Sequence, residues 1–378
     1  MKKIQMVDLK GQYEKIKGQV DQSVLDVVSS SAYINGPEVH AFQAELEAYL
    51  GVKHVIPCAN GTDALQIAMM GLGLKPGDEV ITTDFTFAAT VEVIALLGLT
   101  PVLVDVDPVN FNIDIKAVKA AITPKTKAIV PVHLFGMVAD MDGIMEIAKE
   151  HSLYVIEDNA QAIGANYTHN NGKKSKAGTI GDVGTTSFFP SKNLGCYGDG
   201  GALFTNDDEL AHTIRGIVNH GMYKRYHHDV VGVNSRLDSI QATILRAKLP
   251  NLDVYNAARR VAAQKYTEAF LKEEKIITPH ACDTCDCHVF HQYTLRLDAS
   301  INRDALVAHL QSKDIPCGVY YPIPLHLQKA YTDDRYNEDD FKVTNALSSS
   351  VISLPMHTEL DDEQIDFITK TILDFTTT

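Results

Sequence analysis

Between about residues 52 and 205, short continuous apolar runs alternate with segments whose apolar positions recur every three to four residues. KHVIPC precedes TDALQIAMMGLGL, DEVITT precedes FAATVEVIALLGL, PVLVDV follows, KAIVPVHL precedes ADMDGIMEIAKEHS, and LYVIED, TTSFF and GALFT close the series. The continuous runs read as buried strands and the periodic segments as helices with one face on a core. Such alternation predicts an α/β fold, a wound and mostly parallel sheet with helices on both faces. In these sheets ligands bind beyond the carboxyl ends of the strands, so the residues just after each apolar run are the first candidates for chemistry.

After about residue 250 the pattern changes. NLDVYNAARRVAAQKYTEAFLKEE reads as a long charged helix, followed by a cysteine-containing loop, a strand in HQYTLRLD and a helix in RDALVAHLQSKD. The expected division is a large α/β domain over residues 1–250, N-terminal segment included, and a smaller α+β domain over 251–378. The longest apolar tract, VIALLGLTPVLV, is broken by Gly98 and Pro101 and falls short of the roughly 20 apolar residues that a membrane span needs. The N-terminal MKKIQMVDLKGQYEKIKGQ mixes charge into every turn and lacks the apolar centre of a signal peptide. A cytoplasmic protein with no membrane partner is therefore expected. With 48 acidic residues, 34 basic ones and a formal charge of −14, a basic face for nucleic acid is not expected either.

Cys58, Cys196 and Cys317 stand apart in apolar or glycine-rich surroundings, as reduced thiols do. CDTCDCH, holding Cys282, Cys285, Cys287 and His288, offers the ligand types of zinc. Its residues are too crowded to close a tetrahedron readily, and no metal is expected.

Three strand ends carry the candidate chemistry. KHVIPC runs into ANGTDALQ, which places Gly61 and Thr62 at a helix start, where free amides and the helix dipole suit a phosphate. Taken alone, the same residues read more readily as an ordinary helix cap provided by Asn60 or Thr62. LYVIED ends in Asp158, a carboxylate that is costly in a buried strand unless a cationic or hydrogen-bonding partner meets it. A protonated pyridine nitrogen, a structural ion pair or a cap would each serve. TTSFFPSKNLGCYGDGG puts Lys192 on a glycine-rich loop after a strand. It is either a lysine reaching for solvent or an amine held in a cleft to bond a carbonyl. Together, a phosphate cradle, a strand-end carboxylate and a loop lysine are the parts that hold pyridoxal 5′-phosphate.

The order CANGTDAL, VIEDNAQAIGA, SFFPSKNLGCYGDGGALFTND, HG, RYHH, GVNSRLDSIQA, YYPIPLHLQ and SLPMH resembles the DegT/StrS-type sugar aminotransferases, fold-type I pyridoxal-phosphate enzymes, from Asp8 nearly to the end. RYHH, GVNSRLD and YYPIPL are most similar to the enzymes that aminate the 3-keto form of UDP-N-acetylglucosaminuronic acid in lipopolysaccharide (O-antigen) sugar synthesis. The resemblance implies that Lys192 is the Schiff-base lysine and the acid/base of proton transfer, and that Asp158 pairs with the pyridine nitrogen. It implies Gln161 near the 3′-oxygen, Gly61, Thr62 and Ser187 on the phosphate, and Phe87 stacked on the ring, although core packing is the commoner use of such a residue. Asn234 matches a position that reaches the phosphate of the neighbouring subunit, which implies a homodimer with shared sites. Arg236 matches a position near the sugar carboxylate or an intersubunit ion pair. Lys224, Arg225, Tyr226, His227 and His228 resemble a mobile loop for the nucleotide pyrophosphate.

The resemblance also implies Tyr320 and Tyr321 on the sugar side, but Tyr320 stands where many relatives have histidine, and Asn159 replaces a small residue. The function so implied is amino transfer from glutamate to a UDP-linked keto sugar, with ping-pong kinetics. The alternatives are another nucleotide-linked keto sugar (UDP, GDP or dTDP, C3 or C4), a dehydratase of the same superfamily, which Lys192 opposes because those enzymes carry histidine there, or a non-catalytic regulator on this fold.

Overall fold

The computed structural model describes residues 2–280 and 286–376. Two helices, α1 (Leu9–Ser30) and α2 (Pro37–Leu50), precede the alternating region. That region runs β1 (His54–Cys58), α3 (Gly61–Gly71), β2 (Glu79–Thr83), α4 (Ala89–Leu96), β3 (Thr100–Val104), α5 (Ile115–Ala121), β4 (Thr126–Val130), α6 (Met141–His151) and β5 (Tyr154–Asp158). A small hairpin of β6 (Asn166–Thr168) and β7 (Lys174–Lys176) follows, then β8 (Val183–Ser187), β9 (Gly201–Thr205) and α7 (Asp208–Ile217).

Seven strands form one sheet in the order β1-β9-β8-β5-β4-β2-β3. The pairs from β8 to β3 are parallel, and β9 alone runs against its neighbours. Successive side chains of a strand point to opposite faces, and both faces are apolar here. Ile56, Val80, Ala128, Ile156 and Leu203 meet α3, α4 and α7. Their neighbours Val55, Ile81, Ile129, Val155 and Phe204 meet α2, α5, α6 and α8 (Ser239–Lys248) on the other side. Burial on two sides is why the strands read as unbroken apolar runs.

Beyond α7 lie the hairpin β10 (Met222–Lys224) and β11 (His227–His228), then α8 and α9 (Leu252–Phe270). A second, antiparallel sheet follows, formed by β12 (Ile276–Ile277), β13 (Tyr293–Leu297) and β14 (Val351–Leu354), with helices α10 (Arg303–Ser312), α11 (Lys342–Ser350) and α12 (Asp362–Thr376). Tyr266, Phe270, Tyr293, Leu306, Ile352 and Ile368 share a core of their own. Ile4 is part of that core, and Met356 N donates to the Met6 carbonyl at 3.2 Å. The N-terminal segment therefore packs with the C-terminal unit, a crossing that the sequence division at residue 250 leaves out. Arg259 of α9 is buried and donates from Nη1 to the carbonyls of Phe290, His291 and Met356.

Cys58, Cys196 and Cys317 are free thiols. Residues 281–285 of the cysteine loop lie outside the described residues, and Cys287 is disulfide-bonded. Among the described residues no group of His, Cys, Asp or Glu is placed to hold a metal, and no helix is long and apolar enough to cross a membrane.

Candidate active site

The carboxyl ends of β1, β5 and β8 bring the candidates together. Asn60 caps α3, its Oδ1 accepting from Asp63 N at 2.8 Å. The cap leaves the amides of Gly61 and Thr62, which have no acceptor within the first turn of a helix. A Cβ at Gly61 would lie 2.7 Å from the Cβ of Ser187. Only glycine lets the start of α3 approach the end of β8 so closely, and that approach puts the Ser187 hydroxyl beside the free amides. One turn thus holds both a cap and two amides free to receive an acceptor.

Asp158 ends β5 and is buried. Its Oδ2 accepts from Thr90 Oγ1 of α4 at 2.9 Å and its Oδ1 from Ala160 N at 3.2 Å. Lys192 lies on the loop between β8 and β9, partly buried. Burial lowers its pKa to about 8, partly offset by the carboxylate of Asp158. This burial and the nearby carboxylate set it apart from a lysine reaching for solvent.

Gln161 joins two elements. Its Oε1 accepts from Phe135 N at 2.6 Å and its Nε2 donates to Tyr321 Oη at 3.2 Å. Burial pushes the Tyr321 phenol well up, so it stays protonated. The Tyr321 ring packs on Phe135 and on Phe87 with centroids 6.4 Å and 6.3 Å away. Phe87 is 58 % exposed, so core packing is not its role. An uncovered ring beside Tyr321, near a buried amine, a carboxylate and free helix amides, fits a flat phosphorylated ring bearing a carbonyl.

Other candidates lie outside this cluster. Ser235 Oγ accepts from Ala59 N at 3.0 Å, which anchors its segment beside the β1–α3 turn. Asn234 is exposed and Arg236 half-buried, and among the described residues neither side chain has a hydrogen bond or ion pair within the chain. Residues 222–228 form the β10–β11 hairpin where the sequence led us to expect a mobile loop. Tyr226 turns it in the left-handed region at φ 64°, and the guanidinium of Arg225 lies over the Tyr226 ring. Arg225, His227 and His228 are exposed, and His228 Nδ1 meets the His220 carbonyl at 2.8 Å. Tyr320 is half-buried, packed against Gly318 and edge-on to Tyr321.

Two buried acid–histidine pairs support the site and escaped the sequence reading. Glu157 is fully buried beside Asp158 and accepts from the amides of Gly178, Ile180 and Gly181 at 2.6–2.8 Å. His133 Nδ1 accepts from Ala139 N, so Nε2 carries the proton and donates to Glu157 at 2.9 Å. Burial opposes charge on Glu157, but the His133 bond and the amides outweigh it and hold the carboxyl below its usual value. At the end of β2, Asp84 receives His326 N at 2.7 Å and faces His326 Nδ1 at 2.6 Å. Burial raises the Asp84 carboxyl to about 6 against the pull of His326. The visible signal for both pairs was an acid placed inside or at the end of an apolar run.

The DegT/DnrJ/EryC1/StrS aminotransferase family model matches residues 14–373. A "Pleiotropic regulatory protein" of Geobacillus stearothermophilus is 48% identical over 98% of each chain. A UDP-2-acetamido-2-deoxy-3-oxo-D-glucuronate aminotransferase of Pseudomonas aeruginosa is 48% identical over 97% of this chain and 98% of its own. The solved structure of NtdA from Bacillus subtilis with bound cofactor PMP superposes with a TM-score of 0.89 at 30% identity, covering 96% of this chain and 82% of that one.

Proposed function

Since the chain belongs to the DegT/DnrJ/EryC1/StrS aminotransferase family, we propose that it moves an amino group from glutamate to C3 of UDP-2-acetamido-2-deoxy-3-oxo-glucuronic acid, using pyridoxal 5′-phosphate. The observation that carries this reading is the Lys192 amine, sheltered from water, lowered to about 8 and set against Asp158. When bound, the cofactor supplies a carbonyl that takes up the amino group and a ring that draws electrons from the substrate carbon.

The chain's own residues do the rest. The amides of Gly61 and Thr62 and the Ser187 hydroxyl hold the phosphate, and Phe87 covers one ring face. Asp158 meets the ring nitrogen and keeps it protonated, while Gln161 bonds the ring oxygen. Lys192 Nζ, neutral in part near pH 8, would hold the cofactor at its carbonyl and, when free, would move the proton at the substrate carbon that bears the nitrogen. Tyr320 and Tyr321 line the sugar side. Asn234 completes the phosphate site of the other subunit in a homodimer, Arg236 receives the sugar carboxylate, and Arg225, His227 and His228 receive the pyrophosphate. The unpartnered guanidinium of Arg236 supports its part, because a planar fork matches a carboxylate. The product would enter lipopolysaccharide sugar synthesis in the cytoplasm.

The relative named for regulation favours a second reading, a regulator on this fold. The assembled Lys192–Asp158–Gln161 cluster supports the enzyme instead. Purified protein incubated with glutamate and UDP, GDP or dTDP keto sugars, read by mass spectrometry, should yield amino sugar most rapidly from the UDP-linked 3-keto uronic acid, and Lys192→Ala should yield none. Arg236→Ala should lower kcat/KM for that sugar by about two orders of magnitude. No product from any sugar would leave the regulator, and an unchanged Arg236→Ala would reopen the choice of sugar.

A further inference from the structure

Lys248, the last residue of α8, is 1% exposed. Its Nζ donates to the Gly195 carbonyl at 2.7 Å and stands 4.4 Å from the centre of the Tyr197 ring. Around it are Leu194, Cys196, Leu245 and Leu249, a setting in which an aliphatic residue of the same length would pack with no ion to desolvate. An amine buried with one carbonyl and one ring face is a costly choice, and the segment it grips is the loop that carries Lys192.

That loop closes on itself. Phe188 N donates to the Gly200 carbonyl at 2.7 Å, Cys196 N to Phe188 at 2.8 Å and Lys192 N to Phe189 at 2.8 Å. Gly195 is the tight point, since a Cβ there would lie 2.4 Å from the Pro190 carbonyl oxygen. Nearer to Lys192, Asn193 Nδ2 donates to Asn256 Oδ1 at 2.7 Å and to the Val289 carbonyl at 2.9 Å. Just after Lys192, therefore, the chain is held twice within three residues, from α9 at Asn193 and from α8 at Gly195.

We propose that Lys248 is a positioning residue which, through the Gly195 carbonyl, sets the turn that aims Lys192 at the carbonyl of the bound ring; this rests on the reading of Lys192 given above. Lys248 touches neither substrate nor cofactor, so its loss should alter the aim of the amine and not the grip on the phosphate. Lys248→Met keeps the length and removes the donor. In cofactor-free protein, two quantities separate the effects: the affinity for 4′-deoxypyridoxine 5′-phosphate, which has no aldehyde, and the rate of the absorbance change when pyridoxal 5′-phosphate condenses with the amine.

Lys248→Met should bind the first probe within about twofold of wild type and condense with the second about tenfold to a hundredfold more slowly, the scale of loss that a displacement of about 1 Å brings. A folded variant that condenses at the wild-type rate, or that loses both quantities in parallel, overturns the proposal. If Lys248→Met does not fold, Lys248→Gln is measured in the same two ways, and the same outcomes support or overturn the proposal. Lys192→Ala separates the premise from the proposal: condensation persisting there would refute the reading of Lys192 whatever Lys248 does.

Discussion

Glu157 shows what single buried groups contribute beneath the site. Its carboxylate gathers three amides and the His133 Nε2 proton, so a neutral amide in its place would strand donors away from water. Glu157→Gln should cost about 3 kcal/mol in urea unfolding at neutral pH. Because the folded carboxyl is held below its ordinary value, its contribution is full above the usual carboxylate range and is lost as pH falls through the lowered folded value. The gap between wild type and variant should therefore close on acidification, and a gap that stays constant with pH would show that shape and not charge is at work. Asp158 and Lys192 were legible in the sequence because each interrupts or follows an apolar run. Lys248, Arg259 and His133 were not, because their partners are carbonyls or acids 24 to 97 positions away.

At the scale of elements, the proposed phosphate site depends on how closely α3 meets the end of β8. Gly61→Ala would drive a methyl into Ser187, and the helix start would have to retreat by a few tenths of an ångström or more. Affinity for a phosphorylated ring should fall about tenfold while far-ultraviolet circular dichroism stays unchanged, and an undiminished affinity would remove these amides from the phosphate site. The strands were readable because burial on both faces leaves continuous apolar runs. The reversal of β9 was not, since direction is set by the connection: residues 188–200 form a helix-free loop, whereas parallel neighbours are usually joined through a helix. The same loop explains why the run TTSFF overshoots β8, which ends at Ser187; Phe188 already turns back to Gly200. The pattern of α1 is faint because only Val20 and Val27 along its length are buried, too few to produce an apolar stripe.

The proposed sharing of sites belongs to the whole molecule. If Asn234 completes the neighbour's site, then Lys192→Ala and Asn234→Ala chains, each inactive alone, should regain about a quarter of wild-type activity after mixing and exchange, because random pairing makes half the dimers mixed and each mixed dimer keeps one intact site of two. No recovery despite exchange verified by mass spectrometry would confine Asn234 to its own chain. The crossing of the N-terminal segment into the C-terminal core has a different kind of consequence. Ile4 leaves the ribosome long before Ile352 and Ile368, the residues whose core it shares. The large sheet can close while translation continues, but the second core is complete only when Ile352 and Ile368 join that early piece. A fragment cut at residue 250 would separate the piece from its core, so residues 251–378 expressed alone should be less stable than the same unit in the full chain.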